Sequence, residues 1–150
     1  MLRMLQGTVA VLGRLMLCAI FLMAAVGNKI PNFEQVAGYM ADADVPQPKV
    51  LLAGAIVFLI VGSLSIIFGY RARFGALLLL VFLGLASYYF HNFWAYEVGD
   101  PQHQQQMIHF LKNLGLMGAM LLIIANGAGP CSLDGRKCCR RDTEPAEPVD

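Results

Sequence analysis

Apolar residues dominate this chain in four blocks, with charged residues gathered between the blocks. Val50 to Phe68 is 19 residues without a charge, a length that as a helix matches a hydrocarbon core of roughly 30 Å. Phe74 to Tyr96 is charge-free with His91 neutral, and Asn113 to Leu133 is charge-free as well. The first block is tighter: only 14 residues, Leu15 to Asn28, separate Arg14 from Lys29, a reach of about 21 Å. It spans if its helix begins near Leu5 and Arg14 either snorkels or faces a polar partner within the bundle. A cleavable signal peptide is the competing reading, but Asn28 and Lys29 are poor cleavage surroundings and its loss would leave only three helices. The pattern predicts an all-α membrane protein, an antiparallel four-helix transmembrane bundle over residues 1–130, with helices at about 5–27, 50–70, 74–94 and 107–127.

Between the first two blocks, Phe33, Val36, Ala37 and Met40 fall at i, i+3, i+4 and i+7, one face of a helix. Asn32 is placed to cap that helix with Gln35 reaching back, and Pro46 and Pro48 forbid its continuation. A short interfacial helix in the first extracytoplasmic loop follows, anchored by Tyr39. The second such loop runs from about Ala95 to Gln106, and the turn at Arg71 is very short, so successive helices are antiparallel neighbours. Residues 131–150, polar and proline-containing, read as a disordered cytoplasmic tail.

Composition agrees with this pattern, at 57% hydrophobic and 14% charged residues against roughly a quarter charged in soluble domains. A net charge of +1 leaves no clustered basic surface for nucleic acid. Charge also orients the chain. Arg3, Arg14, Arg71, Arg73, Arg136, Lys137, Arg140 and Arg141 lie on the side of the termini, and only Lys29, Lys49 and Lys112 on the other. The bias puts both termini in the cytoplasm, across a plasma or bacterial inner membrane. Cys18 lies within the first helix, while Cys131, Cys138 and Cys139 fall in a reducing compartment where disulfides are disfavoured. The adjacent pair Cys138 and Cys139 suits palmitoylation or redox sensing only weakly.

The candidate chemistry sits where the last two blocks adjoin. One ends outward in Tyr88, His91, Asn92 and Trp94, and the next begins inward from His109, Lys112 and Asn113, so the two meet in the outer leaflet. His109, Lys112 and Asn113 share one helix face, and Tyr88, His91 and Asn92 another. Lys29, after Asn28, reaches the same level. Ionisable groups near lipid are costly unless paired, so these side chains should turn inward and enclose a pocket. Interfacial anchoring alone explains Trp94 and Lys29 taken singly. The combined set suits a quinone-like head group: imidazoles and amides exchange hydrogen bonds with its oxygens, and an ammonium stabilises a developing anion. Haem held by His91 and His109 is disfavoured, because two interfacial histidines do not establish a slot. His91, His103 and His109 lack a carboxylate or thiolate of matching spacing, so no metal is expected. The second and third helices lack the central ionisable residues that a carrier needs.

Five stretches together, GRLMLCAIFLMAAVGNKIPNFEQVAGYM, YRARFGALLLL, FHNFW, QMIHFLKNLGLMG and GPCSLDGR, resemble the DoxX family of small four-helix membrane proteins. The likeness runs from about Gly13 to Arg136 and places Arg14, Lys29, His91, Asn92, Trp94, His109, Lys112 and Asn113 at motif positions. The resemblance implies a membrane subunit tied to quinone-linked oxidoreductases or redox-stress complexes, in a family with no agreed catalytic assignment. No catalytic motif appears in this chain. The alternative is a non-catalytic subunit or assembly partner binding lipid or another redox protein. Gly115 with Ala119, and Gly62 with Ser65, permit close helix approach, to a partner or to a second copy of the chain.

Overall fold

The computed structural model describes residues 2–134, with side chains from Leu5 onward. Helix α1 (Leu2–Leu22) runs on into a π-helical segment, Met23–Lys29. Then come α2 (Phe33–Asp42), α3 (Pro48–Phe68), α4 (Ala72–Phe90), a 3-10 turn at Phe93–Ala95, and α5 (Pro101–Asn126), with no strand among the described residues. Four stretches, Leu5–Lys29, Pro48–Phe68, Ala72–Ala95 and Pro101–Asn126, are long and apolar enough to cross a membrane. The expected four-helix membrane architecture is therefore present. α2 is the expected loop helix: Ala37 and Met40 are buried with Val45 and Leu52, and Phe33, Val36, Ile56, Tyr89 and Phe90 pack around them.

Local chemistry moves some boundaries. α5 begins at Pro101, earlier than composition suggested, because Asp100 accepts from Gln102 N at 2.7 Å and proline occupies the first helical turn. The glutamine-rich run before His109 is thus helix, not loop. Asn32 does not cap α2 with its side chain; its Nδ2 instead donates back to Asn28 O at 3.1 Å, closing the end of the π segment. α3 ends in a Schellman turn, with Gly69 at φ 62°, Gly69 N donating to Ile66 O and Tyr70 N to Ser65 O. Ser65 Oγ then donates to Tyr70 O at 2.6 Å, holding the tight turn into α4.

Packing runs from α1 to α3, from α3 to α4 and from α4 to α5. The core joins Cys18, Phe21 and Ala25 to Leu59 and Ile66 of α3, Ala76, Leu79 and Leu83 of α4, and Met120 of α5. Gly62 and Gly75 make the α3–α4 approach possible, since a Cβ on Gly75 would fall 2.8 Å from Gly62 O and 2.6 Å from Ser65 Cβ. In lipid, where apolar side chains gain little by leaving the solvent, such close backbone approach is a main source of helix association. Gly115, by contrast, has open space among the described residues where a Cβ would stand.

The end where α3 meets α4 is also closed by the chain beyond α5. The described segment up to Asp134 folds back onto the α3–α4 turn. Asp134 N donates to Gly69 O at 2.9 Å, and its carboxylate accepts from Arg71 N at 3.1 Å and Ala72 N at 3.2 Å, capping α4. Arg14, 5% exposed, supplies the polar link that the first block required. Its Nη2 donates to Cys131 O at 2.9 Å and Pro130 O at 3.4 Å, and its Nε to Ala10 O at 3.2 Å. Cys138 and Cys139 lie outside the described residues.

The α3–α4 contact yields a direct check. Gly75→Ala should lower the unfolding free energy in detergent by about 1–3 kcal/mol through overpacking. Gly84→Ala on the same helix, whose added Cβ meets nothing within 4 Å, should cost nothing and gain up to about 1 kcal/mol of helix propensity. Equal effects from the two substitutions would contradict the close crossing.

Candidate functional site

The polar residues at the other end form a seam between two helices. His91 closes α4, with its backbone N donating to Ser87 O. Its ring stacks on that of His109 of α5, centroids 5.1 Å apart and planes 20° from parallel. His91 Nδ1 lies 2.9 Å from Gln106 Oε1. With the amide oxygen accepting, Nδ1 carries the proton and Nε2 presents a lone pair. One turn deeper, Asn113 Nδ2 donates to Ser87 Oγ at 3.1 Å. Ser87 and His91 are four residues apart on α4, and Gln106, His109 and Asn113 are three and four apart on α5, so each set shares a face and the antiparallel register brings them opposite.

Ser87 and Gln106 were not among the sequence candidates, although their i, i+4 and i, i+3 spacing from the histidines was a usable signal.

Other candidates stand elsewhere. Lys112 is exposed on the outer surface, because it lies about 60° round α5 from His109 on the side away from Asn113 and Gln106. Tyr88, 67% exposed, is likewise rotated off the Ser87–His91 face and meets Tyr89 edge-on. Trp94 is 56% exposed and packs edge-to-face on Phe93 and Phe110, an aromatic girdle beside the seam. Asn92 is half-buried and opens the 3-10 turn, its O accepting from Ala95 N.

Lys29 does not share the level of the histidines. Its Nζ sits 5.5 Å from the centroid of the Phe82 ring, nine residues before His91 and so about 13 Å deeper along α4. The cause is at the opposite end. Arg14 is held beside the α3–α4 turn, and only 15 residues lead from Arg14 to Lys29, against 20 from Arg71 to His91. The expected inward convergence of both imidazoles with Lys112 and Lys29 is thus replaced by a two-helix seam, with one ammonium outside and the other beneath. An open cleft of about 410 Å³ lies apart from the histidines, lined by Asn28, Asn32, Gln35, Val36 and Tyr39. Among the described residues no three His, Cys, Asp or Glu side chains are grouped to hold a metal ion.

The family model for DoxX matches residues 9–92. The chain belongs to the DoxX family. That match runs from Val9 within α1 to the His91–Asn92 corner, while α5 and its half of the seam lie beyond it. This DoxX protein is 29% identical over 130 residues to inner membrane protein YqjF of Escherichia coli, covering 87% of this chain and 92% of that protein. It is 29% identical over 108 residues to inner membrane protein YphA of the same organism, covering 72% and 76%. ER-derived vesicles protein ERV29 of Saccharomyces cerevisiae is 28% identical over 82 residues, 55% of this chain but only 26% of the yeast protein. No solved structure matches the chain. With four spanning helices and inner membrane relatives, this is an integral, multi-pass membrane protein.

The seam makes a measurable claim on stability. A double-mutant cycle of Ser87→Ala and Asn113→Ala should return a coupling energy of about 0.6 kcal/mol, and at most ~1.7, in detergent unfolding. Lys112→Ala should stay within about 0.5 kcal/mol of the parent. Zero coupling would mean that the α4–α5 bond is absent.

Proposed function

We propose that this DoxX protein is an accessory membrane subunit of a quinone-linked oxidoreductase or redox-stress complex, and that its α4–α5 seam receives a quinone-like head group. The reading is carried by the His91–His109 stack. Gln106 holds His91 Nδ1–H, so Nε2 is an acceptor for a hydroxyl at the head-group level. This acceptor fits a quinol hydroxyl, and the ring faces of Phe93, Trp94 and Phe110 alongside fit a flat conjugated ring. A bound quinone would supply reversible two-electron chemistry. The protein would contribute orientation and, through the imidazole nitrogens of the stack, a proton acceptor beside the head group. Titrating the purified protein with a short-chain ubiquinone analogue should give saturable binding, weakened about tenfold or more in His91→Ala and in His109→Ala, as loss of a buried hydrogen-bond partner implies. Unchanged affinity in both variants would remove the reading.

A second reading, a non-catalytic partner in a larger assembly, is favoured by α5 itself. Of the described spanning helices it is the least covered, with 6% of its most apolar window buried, and its Gly115 and Gly118 face open space. In a bilayer, exposed glycines on a helix mark where another backbone can approach closely. Native-mass measurement of the protein isolated in mild detergent should show a complex, homo-oligomeric or mixed, that Gly115→Leu disperses. A monomer in both the parent and the variant would count against this role.

A further inference from the structure

The opposite end of the molecule holds a concentration of cationic groups that the seam does not use. A cleft of about 390 Å³ opens there, lined by Arg71, Arg73, Asn126, Gly127, Ser132 and Asp134 among others. It exists because the chain after α5 turns away on two glycines in left-handed territory, Gly127 at φ 78° and Gly129 at φ 73°. No side chain fills the space above Gly127, where an added Cβ would come no nearer than 4.0 Å to Arg73 Nε.

The charges around this cleft do not balance. Among the described residues Asp134 is its one acidic lining residue, and both of its oxygens accept backbone N–H groups of Arg71 and Ala72 rather than a guanidinium. Among the described residues Arg73 reaches only Ala125 O, at 3.4 Å. Beneath the floor, Arg14 is buried with its Nη1 unpartnered. That Nη1 lies against Gly69 beside Ser132 of the cleft wall, so close that a Cβ on Gly69 would clash with both. Among the described residues the one ion pair is Lys49–Glu34, at the other end. Two guanidinium groups therefore line a hollow whose described carboxylate is already engaged, and a third, desolvated, lies beneath its floor, which is an anion-attracting arrangement.

The level of the cleft indicates which anion. Tyr70 stands exposed at the same turn, a side chain of the type enriched at the bilayer interface. Arginines matched to planar, bidentate oxygen pairs favour phosphate. We propose that this cleft binds a phosphate group at the membrane surface, with Arg71 and Arg73 clasping its oxygens and the buried charge of Arg14 reinforcing the potential from below. Phosphate of this kind is carried by anionic phospholipid head groups and by soluble phosphates alike.

Native mass spectrometry of the full chain, delipidated and then offered phosphatidylglycerol or phosphatidylcholine, tests the site, with calorimetry against inorganic phosphate as the second arm. One phosphatidylglycerol per chain should be retained in preference to phosphatidylcholine. Retention should fall on the order of tenfold in Arg71→Gln/Arg73→Gln, through loss of charge-assisted bonds, and should be unchanged in Lys49→Gln at the far end. The backbone N–H groups that Asp134 caps remain in the double variant, and circular dichroism with thermal unfolding verifies its fold. Arg71→Gln alone, whose side chain makes no described hydrogen bond, gives a milder version of the same test. Binding of inorganic phosphate without a lipid preference, lost in the double variant, also supports the site and assigns it a soluble occupant. If parent and double variant hold lipid and phosphate equally, the proposal is overturned.

Discussion

Arg14 fixes the depth of the first helix, and much of the remaining geometry follows from that. A guanidinium in a spanning segment is costly unless it finds polar partners, and here main-chain carbonyls at Ala10, Pro130 and Cys131 accept from its Nε and Nη2. The link joins α1 to the segment beyond α5, which in turn holds the α3–α4 turn through Asp134 and Gly69. Pinning α1 at this level leaves Lys29 short of the far surface and sets it over Phe82. One polar side chain thus determines the depth of another 15 residues away.

The far end is organised by the register of α4 and α5. Two polar contacts one turn apart, His91 with Gln106 and His109, and Ser87 with Asn113, align the helices where the apolar contacts of α5 are sparse. In lipid such bonds are individually modest, yet sliding α5 past α4 by one residue would unmake all of them together. The seam is therefore a stability element as well as a candidate site, and the coupling measurement separates the first role from the second.

The four spanning segments and α2 were legible because each rests on a periodic or continuous apolar pattern, as the burial of Ala37 and Met40 illustrates. His91, His109 and Asn113 were legible as a group for the same reason of spacing. Lys112 was not, because an i, i+3 relation leaves a residue at the edge of a face and the partner helix decides on which side of the edge it falls. The start of α5 was hidden by a polar composition that one capping aspartate overrode. The need for a polar partner at Arg14 was visible in the sequence, but the partner was not: backbone carbonyls 116 and 117 residues away carry no side-chain signal.

Turning Arg14 inward also changes what the bilayer meets. With the guanidinium sequestered, the outward strip of α1 stays apolar through Leu5, Val9, Leu12, Met16, Ile20, Met23, Val26 and Ile30. The Leu5–Lys29 stretch is 25 residues, and with Arg14 held at the level of the α3–α4 turn its first turns continue past that level. A lipid beside α1 therefore meets hydrocarbon side chains along this strip on both sides of the buried guanidinium.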